Sequence, residues 1–339
     1  MDDLKMLGDL GRHLDQEPPA TLIRQRRRLV EAETGQGSGR SRRLTRWWLP
    51  GLAATVTTAV IAVSAMVLAG EHPAGRPDSA TSGPAVNVAG DSPSIQSDRA
   101  PRPDQFVFVE TRQQYTSCRL AEPVTCRLDP ASMRQVWLSA DGTRDGRVVQ
   151  GPRSRPMAET LPGCRDGVAT RLVPEKKNGP GKKKIRLTEP CAPTPADQSG
   201  LPSDPERMRE YLYGLYSESP AGKRTREDLI FEAVGAISRE SFVPADVRLA
   251  LFTATRRIPG VTVNREAVDP ADRPSIALVF VEADTGLRTE YFFDPRNHQY
   301  LGTRQVATRA TDDASKGEVL GATAVWRLAV VDAAGRLPG

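Results

Sequence analysis

Residues 275–308, SIALVFVEADTGLRTEYFFDPRNHQYLGTRQVAT, contain three apolar runs separated by two polar turns. The runs are rich in β-branched and aromatic residues, which favour strands. The turns, Asp284–Gly286 and Asp294–Asn297, contain the residue types that chain reversals require. Further strand-like runs flank this stretch, VTV at 261–263 and EVLGATAVWRLAVVD at 318–332. The end of the chain is therefore predicted to form an antiparallel strand meander.

Three helices are predicted immediately before the meander. The first, 203–216, opens with the capping-box sequence SDPE, which puts Pro205 at the first helical position. The second opens at 225–228, and its apolar residues recur at helical spacing. The third covers 244–257 and stops at the sequence IPG.

More strands precede the helices. They are QFVFVETRQQY (105–115) and the hairpin MRQVWLSADGTRDGRVVQG (133–151), which turns at Asp141–Gly142 and puts Val136 and Trp137 on opposite faces. Strands, then helices, then strands indicate an α+β domain in which an antiparallel sheet curves around about three helices. Apolar residues between the helices and the sheet predict either packed core or a groove for an apolar ligand.

All four cysteines lie in the region before the helices: Cys118, Cys126, Cys164 and Cys191. All four also follow an uncharged segment near the N-terminus, Trp47–Ala69, which is predicted to span a membrane. An even number of cysteines on one side of a membrane favours disulfides in an oxidising compartment. We favour the pairs Cys118–Cys126 and Cys164–Cys191, because the sequence AEP can turn between the first two and the second pair would close the loop containing EKKNGPGKKK. Zinc is the alternative, but no close C-x-x-C pair and no nearby histidine support it.

An uncharged segment, WWLPGLAATVTTAVIAVSAMVLA (Trp47–Ala69), lies near the N-terminus. As a helix with a rise of ~1.5 Å per residue, it can cross a hydrocarbon layer of ~30 Å. Arginines precede it and acids follow it, so the positive-inside rule puts the N-terminus in the cytoplasm. A cleaved signal peptide is the alternative, against which stand the long preceding segment and the length of the apolar run. A lipoprotein anchor is excluded because Glu71, and no cysteine, follows Gly70.

The predicted organisation therefore has four parts. Residues 1–46 form a cytoplasmic tail and 47–69 an uncleaved transmembrane helix, which makes the chain a single-pass protein of the cell membrane. Residues 70–102, rich in Gly, Pro, Ser, Ala and Asp, are predicted to form a disordered stalk. Residues 103–339 form the extracytoplasmic α+β domain.

The tail is predicted to contain two short amphipathic helices. Isolated helices of this length are marginal in water, so their apolar stripes favour docking onto a cytoplasmic protein. The alternative is that the adjacent arginines lie on anionic lipid headgroups. The residues predicted to dock a partner are Leu4, Leu7, Leu10, Leu14, Leu22, Ile23 and Leu29.

Composition and motifs argue against several functional classes. The net charge of +5 is dispersed and aromatic residues make up 5% of the chain, which disfavours nucleic-acid binding. A serine hydrolase would have to use His298, and neither a G-x-S-x-G elbow nor a glycine-rich phosphate loop is present. We therefore expect that the protein is not an enzyme, that it has no catalytic residues, and that it binds neither a cofactor nor a metal.

The chain resembles a poorly characterised family of single-pass membrane proteins from high-GC Gram-positive bacteria. The resemblance rests on the tail and membrane segment and on LPSDPERMREYLY, IFEAVG, IPGVTV and YFFDPRNHQYLG. Members are often encoded beside extracytoplasmic-function sigma factors, and their external part is similar in outline to periplasmic lipoprotein carriers and to sensors that bind anti-sigma factors. This tail departs from zinc-containing anti-sigma domains, since it has His13 but no cysteine.

Two functions follow from these observations. The first is a membrane-anchored, non-enzymatic regulator or envelope sensor, whose tail docks a sigma factor or another cytoplasmic protein. The alternative is an extracytoplasmic binding module for a lipid or other apolar envelope ligand.

Overall fold

The computed structural model describes residues 93–95, 99–119, 125–151, 154–174, 184–216, 224–311 and 314–339. The predicted tail, with its docking residues, and the predicted membrane span lie outside these ranges. Among the helices within them, none has the length and apolar character needed to cross a bilayer.

The described residues form fourteen strands and three helices. In chain order the strands are β1 (Ser94–Ile95), β2 (Phe106–Arg119), β3 (Thr125–Leu128), β4 (Ser132–Ser139), β5 (Gly146–Gly151), β6 (Met157–Leu161), β7 (Cys164–Arg165), β8 (Val168–Pro174), β9 (Lys184–Pro190), β10 (Thr262–Val268), β11 (Pro274–Val281), β12 (Leu287–Phe293), β13 (Tyr300–Ala307) and β14 (Val319–Val331). The helices are α1 (Pro205–Gly214), α2 (Arg226–Arg239) and α3 (Ala245–Thr255). The predicted class, an antiparallel sheet with three helices, is confirmed in this part of the chain.

The large sheet has the order β10-β11-β12-β13-β14-β2-β4-β5-β6, with antiparallel neighbours throughout. The predicted meander is β10–β14, and β14 joins it to the earlier strands by pairing with β2 from Gly321↔Tyr115 to Val331↔Phe106. A separate small sheet contains β7, β8 and β9. Sequence analysis had predicted only a polar loop in that region, because the strand pattern of β8 and β9 is interrupted by charged and polar residues.

The starts of α1 and α2 follow from their capping residues. The second helix opens where it was predicted, and Thr225 and Asp228 form a capping box there, in which the Asp228 amide donates to the Thr225 hydroxyl over 3.1 Å. In α1 the prediction needs correction, because the cap is Asp204, whose carboxylate accepts from the amides of Glu206 and Arg207. Aspartate accepts these bonds and also favours the positive end of the helix dipole.

The main core lies between the three helices and one face of the large sheet, here called the inner face. Val107, Leu278 and Phe293 of the sheet pack there with Met208 and Ile230 of the helices, and all five are almost completely buried. Burial of such side chains contributes roughly 1.5–3 kcal/mol each. The helices are therefore attached to the sheet by apolar packing.

The opposite, outer face carries a smaller core. Trp137 packs on Phe108, with ring centroids 5.0 Å apart, and its indole N–H donates to the carbonyl of Arg336 over 2.6 Å. Val136 lies in the main core, so the predicted division of this hairpin between two faces is confirmed. The last residues of the chain thus cover part of the outer face.

β1 lies within the range predicted to be a disordered stalk. Ser94 and Ile95 pair in parallel with Arg327 and Leu328 of β14. This position on β14 is open because pairing between β13 and β14 ends at Gly302↔Ala324. Unpaired backbone groups at such a position provide hydrogen bonds that composition does not reveal.

Candidate functional site

The inner face carries a polar cluster beside the apolar core. It consists of six residues from five separate elements, here called the tyrosine–arginine cluster: Tyr115 of β2, Arg134 of β4, Arg239 of α2, the following Glu240, Tyr291 of β12 and Tyr300 of β13. Polar groups gathered beside a packed core need partners, because an unpaired buried donor or acceptor destabilises the folded state.

A close approach of α2 to the sheet positions the cluster. A Cβ atom added at Gly235 would lie 2.3 Å from the Tyr291 hydroxyl, so only glycine allows this contact. The Tyr291 ring is also stacked on Phe231, at a centroid distance of 4.5 Å. Arg239 follows Gly235 by four residues and therefore lies on the same side of the helix.

Arg134 and Glu240 form an ion pair within the cluster. The Arg134 Nε donates to Glu240 Oε1 over 2.7 Å, and its Nη1 donates to Gln150 Oε1 over 2.7 Å. Burial by itself would lower the pKa of Arg134, but the Glu240 charge raises it above the ordinary value. Burial would likewise raise the pKa of Glu240, but the charge and hydrogen bond of Arg134 lower it. Both side chains are therefore charged, and they are paired with each other.

Arg239 differs from Arg134 in its contacts. Its side chain is half-buried at the last turn of α2, where it interacts electrostatically with Tyr300, Tyr291 and Tyr115. Within the described ranges, no hydrogen bond or ion pair reaches its guanidinium. Glu240 forms an ion pair with Arg134 and also interacts electrostatically with Arg239, so the cluster contains two arginines and one carboxylate.

The two neighbouring tyrosines also have free hydrogen-bonding capacity. The Tyr300 hydroxyl pairs with the Thr303 hydroxyl, whereas the hydroxyls of Tyr115 and Tyr291 have no hydrogen-bond partner among the residues that the structure describes. Burial raises the pKa of both tyrosines. Both therefore remain protonated at physiological pH and can donate a hydrogen bond.

A small cavity of ≈ 10 Å³ lies beyond Tyr300, between α3 and the end of β12. Its lining includes Leu251, Phe293 and His298. A volume of this size holds about one water molecule.

His298, the histidine considered for catalysis, lies beside this cavity in a left-handed conformation with φ of 55°. Its ring packs on Phe252, with centroids 4.5 Å apart. Burial lowers its pKa, and the charges of Arg248 and Arg256 lower it further. Ser238, which also lines the cavity, donates its hydroxyl hydrogen to the carbonyl of Val234 over 2.8 Å, as helical serines commonly do.

The two favoured disulfides are present, Cys118–Cys126 and Cys164–Cys191. The first joins directly opposed residues of β2 and β3, and the second connects the start of β7 to the residue after β9. Their sulfur atoms are therefore unavailable as metal ligands. Among the described residues, no group of His, Cys, Asp and Glu is arranged to hold a metal ion.

Sequence reasoning did not identify the tyrosine–arginine cluster. Its members come from segments far apart in the chain, and none belongs to a recognisable motif. Arg239 gives no distinctive signal in the sequence, since a basic residue in the last turn of a helix commonly offsets the helix dipole. A periodic pattern predicts which face of an element is buried, but it does not predict which polar residues of different elements converge.

No protein-family model matches the chain, and no curated protein matches it in sequence. Several solved structures are similar in part, and two of them are described here. One is the crystal structure of MucB in complex with MucA(peri), with 9% identity, a TM-score of 0.27, and coverage of 70% of this chain and 53% of that chain. The other is a LolA superfamily protein from Nitrosomonas europaea, with 11% identity, a TM-score of 0.21, and coverage of 71% and 91%. The chain spans about half the length of the first.

Proposed function

We propose that this protein is a membrane-anchored, non-enzymatic sensor or regulator. Its disulfide-bonded domain faces the outside of the cell and recognises an envelope component, while its tail docks a cytoplasmic protein. The observation that supports this proposal best is the division of the inner face. Its apolar part is filled by the helices, whereas its polar part carries hydrogen-bond donors that the described chain does not use.

Several features support recognition over catalysis and over storage of an apolar ligand. Ser238 and His298, which line the same cavity, are engaged with a backbone carbonyl and an aromatic ring respectively. The cavity is also far smaller than the ≈ 300 Å³ at which ligand pockets begin. A sigma factor is the cytoplasmic partner that the family resemblance suggests.

The docking role can be tested with Leu7→Asp combined with Leu10→Asp. Two charges on the leucine stripe remove its apolar character, so we expect the cytoplasmic partner to be lost from the full-length protein purified in mild detergent. The measurement is quantitative mass spectrometry of the co-purified proteins. The matched control is Lys5→Asp combined with Arg12→Asp, which puts two aspartates on the opposite face of the predicted helix and should retain the partner. Recovery of the same proteins with both double variants would disprove docking through these leucines.

A further inference from the structure

Two neighbouring strands of the large sheet, β13 and β14, separate at one end. They pair as far as Gly302↔Ala324, so Leu301 and Val325 would form the next pair in this register. The Arg273 guanidinium takes the place of that pair and donates to the carbonyls of both residues over 2.9 Å. Leu301 is also the extra residue of a bulge between β13 and β12, and bulges bend a strand away from its neighbour. β13 is therefore kept from pairing further along β14.

A buried ion pair fixes Arg273 at the start of this gap. The Asp269 side chain is completely buried, and it accepts from the Arg273 Nε over 2.7 Å and from the Arg273 amide over 2.8 Å. None of these contacts involves β1. The gap between β13 and β14 is therefore a fixed feature of the fold that does not depend on its occupant.

β1 occupies the gap beyond Arg273. Within the described ranges it is the only strand beside this end of β14 on the side opposite β2, and it pairs through Ser94↔Arg327 and Ile95↔Leu328. Ser94 is exposed, whereas Ile95 packs against both the main core and a second apolar cluster. The buried members of that cluster are Ala267, Ala277, Phe292 and Leu301. β1 is thus held by backbone pairing and by one aliphatic side chain.

This arrangement has both components of peptide recognition by strand addition. Such sites offer main-chain hydrogen bonds along an open strand, which give affinity, and a pocket for a side chain, which gives specificity. The pairing of β1 is confined to two residues, while β11–β14 are held by the main core. Local opening of so small an element does not require the sheet to unfold.

We propose that the gap between β13 and β14 is a binding site for an extended peptide, which β1 occupies intramolecularly and from which a segment of an envelope protein displaces it. The displacing segment has an aliphatic residue at the position of Ile95. The inference rests on the proposed recognition role of the external domain, and it names an extended polypeptide as what that domain recognises. Since β1 lies between the predicted membrane span and the rest of the domain, its displacement releases Ser94 and Ile95 into that connection.

The test is fluorescence anisotropy of the full-length protein in mild detergent, with a labelled synthetic peptide of residues 91–98, DSPSIQSD, as the probe. Ile95→Asp in the protein puts a charge into the apolar gap and should expel β1. We expect this variant to bind the peptide about tenfold more tightly than the unchanged protein, whose own β1 competes at a high effective concentration. Ser94→Asp, which changes the exposed neighbour, is the matched control and should bind like the unchanged protein.

The same two substitutions in the peptide test the specificity of the site. The peptide with Ile95→Asp should lose binding to the Ile95→Asp protein, whereas the peptide with Ser94→Asp should retain it. Amide hydrogen exchange monitors β14 itself. Exchange within 325–328 should be faster in the Ile95→Asp protein and slow again when the unmodified peptide is added, with β11–β13 protected throughout.

The proposal is overturned if the Ile95→Asp protein does not bind the unmodified peptide, or if the two substituted peptides bind it equally. Loss of protection in β11–β13 of the Ile95→Asp protein would also overturn it, because β1 would then be an inseparable part of the sheet. Adding Leu7→Asp and Leu10→Asp to the Ile95→Asp protein should leave peptide binding unchanged. Failure of tail docking and failure of the strand site are therefore measured separately.

Discussion

Gly235 shows how one residue determines the distance between a helix and a sheet. Glycine normally weakens a helix interior relative to alanine by up to ~1 kcal/mol. Here an alanine Cβ would lie 2.3 Å from the Tyr291 hydroxyl, and the stacked Phe231 limits the movement of that ring. The close contact therefore outweighs helix propensity at this position.

Gly235→Ala is accordingly expected to destabilise the protein. Overpacking costs about 1–3 kcal/mol, of which helix propensity recovers up to ~1 kcal/mol. Gly214→Ala in α1 is the matched control, because no atom lies within 4 Å of its added Cβ, and it should leave stability equal or higher. Thermal unfolding of the two variants measures the difference. A Gly235→Ala protein as stable as Gly214→Ala would show that α2 can move away from the sheet without cost.

At the scale of elements, the small sheet depends on a covalent link. Its strands β7–β9 begin at the large sheet, where the Cys164 amide donates to the Gly142 carbonyl over 3.0 Å and the Gly163 amide donates to Asp145 over 3.0 Å. The Cys164–Cys191 disulfide spans a sequence separation of 27. It holds the residue that follows β9 beside the start of β7. By the chain-entropy model, closing such a loop is worth about 3–4 kcal/mol.

Cys164→Ser combined with Cys191→Ser should therefore loosen the small sheet selectively. We expect faster amide hydrogen exchange in β8 and β9, with protection in β11–β14 largely retained, because those strands are held by the main core. Cys118→Ser combined with Cys126→Ser removes the other disulfide and is the matched control, which should leave β8 and β9 protected. Equal loss of protection in both sheets would contradict a local role for the Cys164–Cys191 bond.

At the scale of the whole molecule, the proposed arrangement across the membrane would decide which surfaces meet which partners. We propose that 1–46 lies in the cytoplasm and the disulfide-bonded domain outside, as the charges flanking 47–69 predict. Two disulfides in the described domain agree with an oxidising compartment. The same polypeptide would thus contact an envelope component on one side and a cytoplasmic protein on the other.

Cysteine labelling on intact cells tests this arrangement. A membrane-impermeant maleimide should label Ser154→Cys, an exposed position beside β6, and should label Ser38→Cys in the tail only after the cells are lysed. The two positions serve as controls for each other within the same protein. Labelling of Ser38→Cys before lysis, or of neither variant on intact cells, would contradict the proposed topology and with it the regulatory function.

The sequence alone determined the class of fold, the three helices, the strand meander and the pairing of the cysteines. The fold class, the helices and the meander depend on local signals, such as apolar periodicity, capping residues and turn residues, which act over a few positions. The cysteine pairs were favoured because a turn sequence lies between the first two cysteines and a polar loop lies between the other two. The tertiary structure alone decided that β1 joins the sheet, that β7–β9 form a separate sheet and that six polar residues meet beside α2. Those results depend on which strand positions stay open and which side chains converge across long sequence separations, and no local pattern carries that information.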